Sequence, residues 1–167
     1  MRRLCLTLLC GLVAVPAALA AAHATGDGVL ELRAAAGVIV LNGSRGTLWG
    51  QMDTGKLVVT DPVLGDGVVF VSGAETITPG KTENTTVYSG KDLHFRVTGG
   101  KYRLAFIKAS GIDLAAVGVG TAQLTGDPFV DPGDYALDNG KWKSLPVTPQ
   151  TVRFGVQPTP PPSPTTP

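Results

Sequence analysis

The feature that most constrains this chain is a two-residue alternation of apolar and polar side chains, cut at short intervals by glycine. In "VLELRA", Leu30 and Leu32 share one face, with Glu31 and Arg33 on the other. In "KDLHFRV", Leu93, Phe95 and Val97 oppose Asp92, His94 and Arg96, and in "KYRLAFI", Tyr102, Leu104 and Phe106 oppose Lys101, Arg103 and Ala105. Period two is the signature of a strand with one face buried. No stretch beyond the N-terminal leader carries a long 3.6-residue period, so almost no helix is expected. "GVIVLNG", "GTLWGQM", "GKLVVTD" and "GVVFVSG" are short apolar runs bounded by glycine. Gly37, Gly46 and Gly55 are nine residues apart, and Gly90, Gly100, Gly111 and Gly120 follow at ten, eleven and nine. Glycine accepts positive φ and tolerates a tight turn or bulge, so strands of this spacing predict an all-β fold. The expected architecture is an antiparallel β-sandwich or barrel. A short β-solenoid is the alternative, disfavoured because the spacing drifts and side-chain identities do not repeat from stretch to stretch.

The chain of 167 residues fits one domain with appendages. Residues 1–24 read as a secretory signal peptide: Arg2 and Arg3, then an apolar run from Leu4 to Ala20, then small-x-small sites that place cleavage after Ala20 or Ala24. Residues 27–155 form the all-β domain. Residues 156–167, rich in proline and threonine, read as an extended disordered tail. Both cysteines, Cys5 and Cys10, lie in the leader, so the exported domain rests on an ordinary core without disulfides or thiol chemistry. Without Arg2 and Arg3 the 14 basic residues become 12, against 13 acidic. That balance gives no drive toward nucleic acid or an anionic membrane surface. The expected location is secreted or at the cell envelope, with no membrane association after cleavage and a cell-wall or extracellular partner.

The stretch Gly99-Gly100-Lys101-Tyr102-Arg103, then "GIDLAAVGVG" from Gly111 to Gly120, then "GDYALD" from Gly133 to Asp138 and Leu145-Pro146 resembles a recurring pattern. It is similar to a group of secreted all-β proteins of high-GC Gram-positive bacteria. The resemblance implies export and an all-β fold, and it implies no activity.

Chemistry-bearing residues are sparse. His94, the one histidine after the leader, stands on the polar face of its strand beside Asp92 and Arg96. None of the serines sits in a G-x-S-x-G elbow, so the reading is a solvent-facing residue paired across a sheet rather than part of a hydrolytic triad. Asp127, Asp131, Asp134 and Asp138 are the candidate metal ligands, for calcium, which takes roughly six to eight oxygens. Each also sits in turn chemistry: Asp-Pro, Asp-Pro-Gly and Asp-Asn-Gly. A cofactor is otherwise not expected. Glu31, Glu75 and Glu83 are the only glutamates, with Glu75 and Glu83 in the stretch Ser72 to Gly90, which reads as a polar loop with short strand pieces around Glu75 to Ser89. That loop, or an edge strand, is where ligand contact is expected. Trp49 is assigned to the core of so aromatic-poor a chain. The functional expectation is a non-enzymatic domain with a binding or structural role. The alternative is a metal- or carboxylate-dependent hydrolase using the Asp127–Asp138 loop.

Overall fold

The computed structural model describes residues 24–156. Residues 1–23 of the signal segment and 157–167 of the proline-rich tail lie outside those residues. Seven strands follow in order: β1 Gly28–Thr60, β2 Gly67–Pro79, β3 Thr85–Gly99, β4 Tyr102–Gly126, β5 Asp134–Leu137, β6 Lys143–Ser144 and β7 Gln150–Phe154. There is no helix among the described residues. The main path of the sheet is β2-β3-β1-β4-β7, with β5 on β1 and β6 on β5.

The sheet folds over because its two longest strands pair with each other twice. Leu30 lies opposite Ala116, and so does Leu48, so this part of β4 has β1 on both sides. Beyond the glycine bends the roles reverse. Leu41 lies between Leu104 and Ala122, with β4 on both sides. One layer therefore holds residues 28–35, 46–53, 112–118, 93–98 and 67–72. The other holds residues 38–43, 56–60, 102–107, 120–126, 85–89 and 76–79. Inward side chains of the two layers meet in one core, where the rings of Phe95 and Phe106 lie 5.2 Å apart and tilted by 57°.

This is an all-β, sandwich-like fold made from one antiparallel sheet that is not closed. The open edges exclude the barrel form of the expectation. Every pairing is antiparallel. A solenoid would stack successive coils in parallel, so the solenoid alternative also falls.

The nine-residue glycines are bends within a continuous strand, not turns between strands. Gly28, Gly118 and Gly46 stand side by side across the sheet at one fold line. Gly46 and Gly118 have φ of 129° and 145°. A Cβ on Gly118 would strike the Arg45 carbonyl oxygen, and one on Gly46 the Val117 carbonyl oxygen. Only a residue without a side chain lets the ladder cross this line. Gly111 likewise bends β4, whereas Gly99-Gly100 is a turn between β3 and β4. The Asp138-Asn139-Gly140 turn has positive φ at both Asp138 and Asn139, the hairpin geometry that "DNG" favours.

Candidate functional site

Alternation on the strands of the first layer sends every second side chain outward, and the register aligns them into rows. Phe70, Arg96, Trp49, Ala115 and Glu31 lie side by side across five strand segments. The next row is Ser72, His94, Gln51 and Asp113. Leu48 is fully buried, so its neighbour Trp49 must face out, and it is 38% exposed. Phe70 is 61% exposed and Val68 68%. Small Ala115 beside Trp49 leaves the flank of the indole open. The result is a groove of about 890 Å³ across the outer surface of the layer, apolar along Trp49, Phe70 and Val68 and polar at Arg96, His94, Gln51 and Asp113. Asp113 is oriented at both oxygens. Its Oδ1 accepts the Ala34 N–H at 2.9 Å, and its Oδ2 accepts the Gln51 side-chain amide at 3.4 Å.

Trp49 is thus a correction to the sequence reading, which placed it in the core. Strand alternation outranks hydrophobicity here. The strand pieces expected around Glu75 to Ser89 are longer than the loop between them: Glu75 is on β2, Thr85 to Ser89 are on β3, and only 80–84 connect them. The edge-strand half of that expectation coincides with the groove, because β2 is the edge and carries Val68 and Phe70.

His94 is exposed on the polar face of β3, as the alternation requires. Ser72 lies directly opposite it in register, but Gln51 stands between His94 and Asp113. The three therefore do not line up as nucleophile, base and orienting acid.

The four aspartates are engaged separately. Asp127 Oδ1 accepts the Phe129 N–H at 2.9 Å and Asp131 Oδ1 accepts the Gly133 N–H at 3.0 Å. Asp138 Oδ1 accepts the Val29 N–H at 2.9 Å. Asp134 pairs with Arg33 at 2.8 Å, and the Arg33 guanidinium lies 4.5 Å from the centre of the Trp142 ring. Among the described residues no three acidic or histidine side chains gather as metal ligands would. Thermal unfolding curves in millimolar calcium and in excess chelator are therefore expected to superimpose. A higher melting temperature with calcium would support the metal reading by mass action.

On the opposite layer Tyr102 is buried, and its hydroxyl has no hydrogen-bond partner among the described residues. Burial pushes its pKa up from 10.0 to about 12. Above pH 10 the phenol ionises in the unfolded chain while it stays protonated in the folded one. Stability therefore falls as pH rises from 10 toward 12, by about 2–3 kcal/mol for this group. Tyr102→Phe removes a buried group that lacks a partner, so it is expected to be neutral or stabilising at pH 7. It is also expected to flatten the alkaline decline, which denaturant midpoints between pH 9 and 12 would measure.

No family model, curated protein or solved structure matches the chain.

Proposed function

We propose that this chain is an exported, non-enzymatic binding domain acting at the cell envelope or outside the cell, and that its ligand is an extended saccharide lying across the Trp49 groove. The observation that carries this reading is a tryptophan held outward on a rigid sheet, between an open edge aromatic and a row of hydrogen-bonding side chains. A sugar ring has an apolar C–H face and a rim of hydroxyls. The indole of Trp49 offers a flat apolar surface for the face, and Arg96, His94, Gln51 and Asp113 offer donors and acceptors for the rim. Trp49 and Phe70 are two strand spacings apart, about 10 Å. A single ring cannot cover both, so the groove suits a chain of sugars. The leader supports export, and the even charge balance agrees with a neutral ligand at this face.

The test is a titration of the purified chain with soluble oligosaccharides from glucan, xylan, chitin and peptidoglycan, followed by tryptophan fluorescence and calorimetry. A Trp142→Phe background isolates the Trp49 signal. Saturable binding by at least one sugar class, with a change in Trp49 emission, is expected. Absence of binding across the panel, with heat and emission both unchanged, would refute the saccharide assignment.

A further inference from the structure

The outer surface of the second layer carries different chemistry. Register places Arg153, Thr121, Asn42, Arg103 and Thr60 side by side across five strand segments, a row without one apolar side chain. Lys101, two residues before Arg103, and Ser44, two after Asn42, extend it. These residues line a cleft of about 590 Å³. Lys101, Arg103 and Arg153 are all exposed. The ion pairs among the described residues are Arg33 with Asp134 and Arg45 with Asp27, so none of the three cations here has a carboxylate partner. Two acids beside the residues that line the cleft are turned to backbone donors. Asp66 accepts the Lys101 N–H at 2.9 Å, and Asp61 accepts the Val63 N–H at 3.2 Å.

We propose that this cleft is an anion site that holds a phosphate group of a phosphate-bearing polymer. Arg153 and Arg103 are three strand spacings apart, about 14 Å. Two arginine side chains leaning inward across that spacing would bring their guanidinium groups together over Thr121 and Asn42. An arginine fork matches two oxygens of a phosphate, with geometry as well as charge. A planar carboxylate is satisfied by one such fork. A tetrahedral anion still has oxygens to offer, and here Thr121 and Asn42 supply further donors from the floor, whereas the Ser44 hydroxyl donates to the Val119 carbonyl and Thr60 pairs with Thr85. A chain with near-zero net charge that gathers three unpaired cations on one polar row is built for local rather than general anion attraction. The site is on the opposite layer from the Trp49 groove and does not depend on what that groove binds.

The experiment measures binding of the full chain to inorganic polyphosphate, and to polyacrylate of similar length, as salt is raised. Polyphosphate is expected to bind saturably, with affinity falling as salt increases. Arg103→Ala with Arg153→Ala is expected to weaken it by roughly tenfold or more. The double lysine variant, which keeps charge and loses the fork, should fall between. Trp49→Ala should bind polyphosphate as the wild type does. Both arginines are exposed, and coincident melting curves would confirm folding. Equal affinity for polyacrylate, no polyphosphate binding, or wild-type affinity in the double alanine variant would each overturn the proposal.

Discussion

Gly118→Ala is expected to destabilise the domain by about 2–4 kcal/mol, one of the largest effects of any single methyl group in the chain. The reason is the fold line. Gly118 lies between Gly28 and Gly46 in the register, at φ 145°, with the Arg45 carbonyl oxygen where a Cβ would sit. The added carbon meets backbone on a neighbouring segment, which cannot swing aside as a side-chain end can. Relieving the clash means opening the ladder where β1 and β4 pass from one layer to the other. Gly65→Ala is the control. Gly65 also has positive φ, 84°, but nothing lies within 4 Å of its would-be Cβ. It should cost only the backbone strain, about 1 kcal/mol. Chemical denaturation of the two variants beside the wild type would separate close approach from strain. Equal losses would mean that the glycine rows are not what lets the sheet fold over.

Trp49→Ala is expected to abolish measurable saccharide binding, or to weaken it roughly 30-fold or more, the effect of losing a central aromatic anchor. The same change should leave the fold intact, because the indole packs on the outer surface and the core below is closed by Leu48, Leu114 and Phe95. Phe70→Ala should weaken binding less, since Phe70 is on the open edge strand. Trp142→Ala should have no effect on binding, because Trp142 is held by Arg33 outside the groove. Calorimetric titration of the three variants with the best-bound sugar gives this ranking directly. An unchanged affinity in Trp49→Ala would remove the groove from the functional account.

Local structure was legible in the residues because strand periodicity is local. Leu93, Phe95 and Val97 are buried and His94 and Arg96 are exposed, as the alternation requires. Tyr102, Leu104, Phe106, Ile112 and Leu114 are likewise in the core. What alternation cannot supply is register between distant strands. Nothing in the text of the sequence says that Leu30 and Leu48 flank the same Ala116, and that double pairing is what makes two layers from one sheet. For the same reason the runs between Gly37, Gly46 and Gly55 read as separate strands. In fact the hydrogen-bonded ladder continues through the bends, and Gly28–Thr60 is one strand.

The candidate site was half visible. Trp49 follows Leu48 and precedes Gly50, which was enough to place it outward, but its hydrophobicity pulled the reading toward the core. Arg96 and His94 were correctly placed on an exposed face. Their meeting with Phe70, Gln51 and Asp113 depends on strand order alone. The cationic row went unseen for the same reason: Asn42, Arg103, Thr121 and Arg153 are scattered over 112 positions of sequence and converge only through register.

The most direct measurement is the map of backbone amide shifts in a nuclear magnetic resonance titration of the isotope-labelled chain with the best-bound oligosaccharide. Perturbations are expected at Trp49, Gln51, Phe70, His94, Arg96 and Ala115, with Arg103, Arg153 and the 127–138 segment unmoved. Perturbations centred on Asp127–Asp138, or spread evenly over both layers, would contradict the assignment of the Trp49 face as the binding surface.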